Sequence, residues 1–508
     1  MSPDNKLQPP GPETPGERPS EVPSVGADLP SLLPSDPEQY QALERKLVRK
    51  VDWRLMPVLV VMIVLNYLDR QALPNARVQG IEKDLGLEGD DYNVAISVLF
   101  AGYIALQIPS NMLLTRVRPS IYLPICMALW GVVSACTAAV KGFQSLVVCR
   151  FFLGFLEAPF FPGALFLLSA WYTPKELATR TAILYTGSLL SGGFGGLVGA
   201  GVQYGLDGVH GLYPWQWLFI IEGAATVFLS LVSIFILPDF PATTRWLSDQ
   251  ERAIATHRLR KHSGSQDEER GPLLQGVKQA VADYKVWLLA AIVITKTTAA
   301  AVTSFIPTLV ATFKFDSVKS LLMVAPPYVF ASIVAMAVSI SSDRLSERYF
   351  HLVLPLAVGM TGYIIAAATT TLAPRYFSLF LMLGGVYGSF NVTYAWISST
   401  LPRPLEKRAA AFAFTNMVGN FAQIYSPYMY DSKSGPRYLP AMTANTIFVF
   451  VSIICATILR FCLVRENRKL VAAELDTTET PDPKNGDEII QNGPGGVLVL
   501  NPGFRYAL

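Results

Sequence analysis

Ionisable residues within apolar stretches are the chemically most informative feature of this sequence. Asp69 and Arg70 lie in the first apolar stretch, and Arg150 and Glu157 lie in the fourth. A charge in mid-membrane costs at least about 2–3 kcal/mol, so such residues usually serve a function. Seven residues separate Arg150 from Glu157, which places both on one helix face with Glu157 about 10 Å deeper.

Depth along the spans predicts which of these charges can meet. The first span runs outward and the fourth runs inward, so Asp69 and Arg150 lie at a similar level and can pair. Burial favours the neutral form of a carboxyl, whereas a nearby guanidinium favours its charged form. A carboxyl balanced in this way can exchange protons, but a permanent ion pair would only lock the helices. Arg70 and Glu157 have no obvious permanent partner.

Polar side chains follow single helix faces in the second half of the chain. Lys296 lies among threonine and serine residues of the seventh apolar stretch, where it could bind an anion or only face water. Two stripes with i, i+4, i+7 spacing are formed by Tyr387, Asn391 and Tyr394 and by Asn416, Asn420 and Gln423. Such faces must point into the bundle, either to bond neighbouring helices or to contact a substrate.

No catalytic or metal-binding pattern is present in the sequence. The five cysteines lie in apolar segments without CxxC spacing, and the four histidines form no ligand pattern. No span carries a nucleophile together with a base and an orienting group. No basic run indicates nucleic-acid binding. We therefore expect no enzyme activity, no cofactor or metal, and no nucleic-acid partner.

Composition identifies the environment around these charges as a lipid bilayer. Apolar residues make up 51% of the chain and charged residues 16%, against about a quarter charged in soluble proteins. Twelve stretches reach the length of about 20 residues that crosses a bilayer. They lie near 55–75, 91–115, 121–140, 144–170, 178–206, 216–237, 285–311, 318–341, 350–372, 375–400, 407–430 and 440–463. This pattern predicts an all-α integral membrane fold with about twelve transmembrane helices in two six-helix bundles.

Polar segments divide the chain into five predicted regions. These are a disordered N-terminal tail (1–50), a first six-helix bundle (51–240), a central connector (241–284), a second bundle (285–464) and a C-terminal tail (465–508). At the end of the N-terminal tail, residues 44–54 are expected to form a short charged helix that leads into the membrane. The connector segment 246–261 could form an amphipathic helix on the membrane surface. Lysine and arginine residues concentrate in alternate connectors, which predicts that both tails and the connector are cytoplasmic. We expect a monomer.

Three motifs resemble those of the fungal anion:cation symporters, a branch of the major facilitator superfamily. They are QIPSN at 107–111, RFFLGFLEAPFFPG at 150–163 and WYTPKELA at 171–178. The final residues, FRYAL at 504–508, are also typical of the fungal branch. The resemblance covers roughly residues 45–508 and implies a permease for an organic anion, as allantoate and nicotinate permeases are.

The resemblance also implies roles for individual residues. Asp69 and Glu157 would be the proton-coupling carboxyls, and Arg150 would be the partner that controls their protonation. Arg70 would take the substrate carboxylate, and an asparagine of the eleventh span, Asn416 or Asn420, would help to hold it.

Two features depart from the pattern of the superfamily. Its loop signature G-x-x-x-D-R-x-G-R is degenerate in both halves, and the gating contacts would be carried mainly by Asp343, Arg344 and Arg348. Lys296 does not match a known family feature, and it indicates a dianionic or otherwise unusual substrate.

These observations predict a proton-coupled symporter that imports a small organic anion across the plasma membrane by alternating access. An exporter of an acidic secondary metabolite is an alternative in the same class. Drug–proton antiporters often carry a glycine-proline signature in the fifth span, and this span has no proline. A transport-dead nutrient sensor is an alternative of another class, although the tails lack the long signalling extensions of such sensors.

Overall fold

The structure is a computed structural model. It describes residues 33–34, 36–114, 117–244, 246–263, 273–401, 405–479, 489–493, 496–500 and 505–507. Predictions for most of the N-terminal tail, the middle of the connector and much of the C-terminal tail therefore lie outside the described residues.

The first half folds into eight helices, α1 to α8. Proline is favoured in the first turn of a helix, where its missing N–H group costs no hydrogen bond, and it begins α4, α7 and α8. Pro159 separates α5 from α6 within the fourth crossing, because a proline inside a helix cannot donate to the preceding turn. The bounds are α1 Pro37–Val78, α2 Ile81–Asp84, α3 Asp91–Leu114, α4 Pro119–Cys136, α5 Phe143–Glu157, α6 Phe160–Trp171, α7 Pro174–Gly205 and α8 Pro214–Ile236, with short 3₁₀ turns at Thr137–Ala139 and Val209–Gly211.

Helix α1 begins inside the segment that we predicted to be a disordered tail. The Asp36 carboxylate caps it by accepting a hydrogen bond from the backbone N–H of Glu38 at 3.0 Å. Leu47 and Val51, one turn apart, are buried in the core of the first half. The prediction of disorder is therefore wrong for residues 37–50, because this segment has an apolar face that packs on the bundle. The short helix predicted over 44–54 is present as part of α1.

The connector contains two helices that pack on one end of the bundles. They are α9 Asp249–Ser263 and α10 Leu273–Ala282. Trp246 stacks on Trp171 of α6 with ring centres 5.8 Å apart, and Arg258 of α9 pairs with Glu176 of α7 at 2.5 Å. The helix predicted over 246–261 thus exists, but it packs against the protein. We call this end of the molecule the connector end and the opposite end the loop end.

The second half folds into helices α11 to α19 and a small hairpin. A 3₁₀ segment, Ala301–Phe305, joins α11 to α12. The bounds are α11 Tyr284–Ala300, α12 Ile306–Ala311, α13 Ser317–Leu322, α14 Ala325–Leu345, α15 Tyr349–Ala368, α16 Leu372–Gly388, α17 Phe390–Thr400, α18 Leu405–Tyr425 and α19 Leu439–Glu479, with 3₁₀ turns at Ser426–Met429 and Ser432–Ser434. Strands β1 Ile489–Gly493 and β2 Gly496–Leu500 form an antiparallel pair, with Ile489 opposite Leu500.

Within the described residues, nine helical segments are long and apolar enough to cross a membrane. The other three predicted spans, near 91–115, 375–400 and 407–430, coincide with α3, with α16 and α17, and with α18. Helices α16 and α17, with 17 and 11 residues, are each shorter than a full crossing because the helix is interrupted at Ser389. The twelve crossings are thus all helical.

The two halves meet along a few helices that surround the molecular centre. Helix α7 packs against α13 and α14, α3 packs against α18, and α1 packs against α12. A Cβ atom on Gly196 of α7 would lie 2.7 Å from the carbonyl oxygen of Leu321. Glycine is therefore required at this position for the halves to approach so closely.

Candidate functional site

A cavity of about 170 Å³ lies at the centre of the molecule, between the two halves. Many of its walls carry polar or aromatic side chains, and helices of both halves contribute. The predicted site residues that line it are Arg70, Arg150, Tyr387, Asn391, Asn416, Asn420 and Gln423. The sequence did not single out Tyr67, Tyr103 and Tyr185, which also line it. Both polar stripes of the second half therefore reach one cavity.

Arg70 and Glu157 form an ion pair at the cavity wall. Arg70 Nε donates to Glu157 Oε2 at 2.6 Å, with side-chain exposures of 15% and 0%. The guanidinium also lies 5.1 Å and 4.8 Å from the ring centres of Tyr67 and Tyr103, where cation–π attraction adds to its stabilisation. The expectation that Arg70 and Glu157 lack a partner is wrong, because they are partners of each other.

Asp69 points away from the cavity, into the interior of the first half. Its carboxylate accepts hydrogen bonds from Ser134 Oγ at 2.6 Å, Thr226 Oγ1 at 3.1 Å and Trp130 Nε1 at 3.2 Å. Adjacent residues on a helix are about 100° apart, so Asp69 and Arg70 face different neighbours. The expected ion pair between Asp69 and Arg150 does not form in this structure, because α4 and α8 satisfy the Asp69 carboxylate instead.

Arg150 is nearly fully buried and is only partly satisfied. Its exposure is 1%, and its guanidinium carbon lies 5.7 Å from the ring centre of Phe219. Its Nε and Nη2 atoms have no hydrogen-bond partner in the part of the chain that the structure describes. It interacts electrostatically with both Glu157 and Asp69. Two of the guanidinium nitrogens of Arg150 are therefore not used by hydrogen bonds to the described residues.

Lys296 lies close to the cavity but does not reach its surface. It is fully buried, and its Nζ donates to Thr393 Oγ1 at 2.5 Å. The same nitrogen lies 4.6 Å from the ring centre of Phe390, a residue that does line the cavity. A direct contact between Lys296 and a substrate would thus require movement of Phe390, and the predicted role of Lys296 stays a prediction.

At the loop end, aromatic rings of the two halves contact each other. The Arg77 guanidinium lies 4.0 Å from the Tyr92 ring centre. Tyr92 meets Phe305 edge-on, and Phe305 stacks on Tyr430 with ring centres 4.1 Å apart. Tyr92 belongs to the first half, whereas Phe305 and Tyr430 belong to the second. We call these residues the loop-end layer.

Towards the connector end, a second group of rings joins the halves. Tyr185 of α7 lies 5.2 Å from Phe390 and stacks on Tyr394 at 6.0 Å, measured between ring centres. We call these three residues the connector-end layer. The cavity is therefore bounded on both sides by contacts between the halves, and the sequence indicated neither layer.

The gating contacts were predicted for residues of the loop between α14 and α15, and the ion pair and hydrogen bonds that the structure describes for Arg348 stay within its own half. Arg348 Nη1 pairs with Asp343 Oδ1 at 2.7 Å and donates to Ser342 Oγ at 2.9 Å. Arg344 is exposed. Their role in gating stays a prediction.

One buried carboxyl was missed by the sequence reasoning. Glu222 of α8 is 3% exposed, and neither carboxylate oxygen has a hydrogen-bond partner within the described residues. The sequence does contain a signal for it, because Glu222, like Asp69, is an acidic residue within an apolar stretch, the sixth.

Similar proteins identify the family of the chain. The Major Facilitator Superfamily profile matches residues 59–427. The MFS-type transporter cnsO of Penicillium expansum is 32% identical over 481 residues, covering 92% of this chain and 91% of that protein. The high-affinity nicotinic acid transporter of Saccharomyces cerevisiae is 28% identical over 472 residues, with coverages of 92% and 86%.

Solved transporter structures share the fold. A bacterial homologue of the human lysosomal transporter Spinster, inward-facing and unoccupied, gives a TM-score of 0.63 at 16% identity and covers 80% of this chain and 95% of its own. The partially occluded, inward-open xylose transporter XylE of E. coli gives 0.58 at 12% identity, with coverages of 79% and 97%. The predicted fold of about twelve transmembrane helices in two bundles is confirmed. This multi-pass membrane protein, which is a transporter and not an enzyme, belongs to the major facilitator superfamily.

Proposed function

We propose that this protein is a proton-coupled symporter that takes up a small organic anion by alternating access. The observation that carries the proposal is the Arg70–Glu157 pair, in which a cation on the cavity wall is held by a fully buried carboxylate. This arrangement offers one guanidinium to two competing anions, the protein's own carboxylate and a bound substrate.

Competition for Arg70 would link substrate binding to proton binding. A substrate carboxylate that takes the Arg70 guanidinium leaves Glu157 without its partner in a site of low polarity. Such a carboxyl is far more stable when neutral, so binding of the anion favours binding of a proton at Glu157. The converse holds by thermodynamic linkage. Anion and proton would therefore move together.

The chemistry of the cavity fits a small carboxylate better than a neutral or cationic molecule. Arg70 and Arg150 both reach the wall, and a guanidinium binds a carboxylate through charge-assisted and often bidentate bonds. Asn416, Asn420 and Gln423 add neutral hydrogen-bonding groups on the opposite half. The similarity to a nicotinic acid transporter supports a carboxylate of modest size, and the resemblance to anion:cation symporters points the same way.

The two aromatic layers support an alternating-access cycle. The loop-end layer consists of three rings and the Arg77 guanidinium, and the connector-end layer consists of three rings. Opening the connector-end layer would release the bound anion at the connector end. We place this end in the cytoplasm, and the protein in the plasma membrane, on the basis of the distribution of lysine and arginine.

Uptake into proteoliposomes under an imposed pH gradient tests this function. Radiolabelled nicotinate, allantoate and other mono- and dicarboxylates are supplied outside, and the exterior is made acidic. Accumulation of one of these anions above its external concentration, abolished by a protonophore, is the expected result. Efflux driven by the same gradient would instead favour the alternative of an exporter of an acidic metabolite. Uptake that does not respond to the gradient would contradict proton coupling.

Two variants assign the roles of the pair. Glu157→Gln should lose gradient-driven accumulation but retain exchange of labelled for unlabelled anion, whereas Glu251→Gln, a connector variant, should behave as wild type. Arg70→Lys should raise KM by roughly 10–100-fold, the equivalent of losing about 1.5–3 kcal/mol of charge-assisted bonding. Arg252→Lys on the connector surface is its control. Concentrative uptake by Glu157→Gln at the wild-type rate would overturn the assignment.

A further inference from the structure

Helix α8 contains a carboxyl that the proposed exchange at Arg70 does not use. Glu222 is buried, does not line the cavity, and has no donor to either oxygen among the described residues. A buried carboxylate without donors is strongly unfavourable, whereas a neutral carboxyl is tolerated. The surroundings of Glu222 therefore favour its neutral, protonated form.

The neighbours of Glu222 along α8 locate it between two charges. Phe219 and Thr226 lie about one turn to either side of it on the same helix face. Phe219 packs under the Arg150 guanidinium at 5.7 Å, and Thr226 donates to the Asp69 carboxylate at 3.1 Å. Arg150 and Asp69 thus approach α8 on either side of Glu222, and both interact with it electrostatically.

Among the residues that the structure describes, the charged groups that interact with Glu222 come from two helices. Asp69 belongs to α1 and Arg150 to α5, next to the thiol of Cys149. Helix α4 packs along α8 and contributes polar groups such as Ser134, but it has no acidic or basic residue. The acidic and basic residues of α7 are confined to its first two turns, at the connector end. Arg150 is therefore the cation within reach of Glu222.

We propose that Glu222 is a second proton-binding site, which holds a proton when unpaired and releases it when its carboxylate pairs with Arg150. Arg150 suits this role because its Nε and Nη2 atoms have no partner among the described residues. Asp69 already accepts three hydrogen bonds, so an ion pair with Arg150 would stabilise the Asp69 carboxylate less than the Glu222 carboxylate. On release, the O–H bond of Glu222 breaks, the proton passes to water, and the guanidinium keeps all its protons.

Coupling between the proton on Glu222 and the bound anion rests on the proposed function, because it requires an anion in the cavity. Arg150 lines the cavity, so an anion bound there attracts Arg150 and competes with Glu222 for it. Glu222 then keeps its proton while the anion is bound. The protonation of Glu222 by itself does not depend on any substrate, and it can be measured alone.

Infrared spectroscopy of the purified full-length protein tests the site, because a neutral carboxyl and a carboxylate absorb at different frequencies. We expect a neutral-carboxyl band at neutral pH that disappears in Glu222→Gln. The control is Glu251→Gln, which removes a carboxylate that pairs with Lys50 at 2.7 Å. Partial burial acts to raise the pKa of Glu251, but hydrogen bonds from Lys50 and Ser248 hold it below its ordinary value. This variant should leave the band unchanged.

Two further variants complete the test. Arg150→Gln removes the cation, so the pH at which the band disappears should rise by about 1–3 units. Glu222→Asp keeps a carboxyl in a different position and should shift the band if Glu222→Gln does not fold. If none of the Glu222 and Arg150 variants alters the band, the inference about Glu222 is overturned. That result would not contradict the proposed proton-coupled uptake. Conversely, the variants could assign the band to Glu222 while uptake does not respond to the pH gradient. That result would refute proton-coupled symport but not the proton-binding site at Glu222.

Discussion

Glu157→Gln and Arg70→Gln should destabilise the protein to a similar extent near neutral pH but to different extents in mild acid. Each variant strands the other charge of the 2.6 Å pair. A carboxylate left alone can take up a proton, whereas a guanidinium cannot give one up. Only the loss of unfolding free energy in Arg70→Gln should therefore depend on pH.

The structure allows both magnitudes to be worked out. Removing one partner of a buried ion pair costs about 3–5 kcal/mol. For Glu157→Gln we expect the lower end, about 3 kcal/mol, because the stranded Arg70 is 15% exposed and keeps its contacts with the rings of Tyr67 and Tyr103. For Arg70→Gln the loss of unfolding free energy cannot exceed the cost of protonating a carboxyl of ordinary pKa. This cost is about 1.4 kcal/mol for each pH unit above roughly 4.3. This amounts to about 3.7 kcal/mol at pH 7 and about 1 kcal/mol at pH 5.

The sign follows from linkage. In Arg70→Gln the folded state binds a proton that the unfolded state lacks, so the variant gains stability relative to wild type as the pH falls. Denaturant unfolding of purified variants in detergent at both pH values measures the difference. The double variant Arg70→Gln/Glu157→Gln should regain most of the loss. Lys50→Gln, at the partly exposed Lys50–Glu251 pair, should cost less than about 1 kcal/mol at either pH.

The reasoning would be refuted by a loss in Arg70→Gln that is the same at both pH values. A double variant whose loss equals the sum of the two single losses would also refute it. Either result would mean that the two charges are not stabilised by each other.

Two further predictions concern packing and hydrogen bonding in the first half. A Cβ atom on Gly154 would lie 1.8 Å from the Leu99 carbonyl oxygen, so Gly154→Ala should force α3 and α5 apart and cost at least about 1–3 kcal/mol. Gly201→Ala, with nothing within 4 Å, is the matched control, and equal melting temperatures for both variants would contradict the prediction. Ser134→Ala removes the 2.6 Å donor to Asp69 and should cost about 1.5–3 kcal/mol in unfolding free energy; a wild-type melting curve would show that water replaces the hydroxyl.

The sequence alone determined the architecture and the depth of the charges. Twelve apolar stretches of this length cross a bilayer as helices, because the backbone polar groups find no water there and a helix bonds all of them within its own segment. The rise of 1.5 Å per residue gives the depth of Arg150 and Glu157. The i, i+4, i+7 spacing puts Asn416, Asn420 and Gln423 on one face, and that face lines the cavity.

Only the tertiary structure decided which charges meet. Depth predicted a pair between Asp69 and Arg150, yet Asp69 turns towards α4 and α8, and Arg70 meets Glu157. Sequence spacing gives the angle between two residues of one helix, but not the rotation of that helix relative to its neighbours. A rotation of about 100° exchanges the roles of adjacent residues.

The same reason explains the features that the sequence did not reveal. Lys296 lies against Phe390 instead of in the cavity, and Tyr185 meets Phe390 across the two halves. The isolation of Glu222 likewise depends on which side chains of α1, α4 and α5 surround it. Each of these contacts joins helices that are distant in sequence, and their relative rotation is set by the packing of the whole bundle.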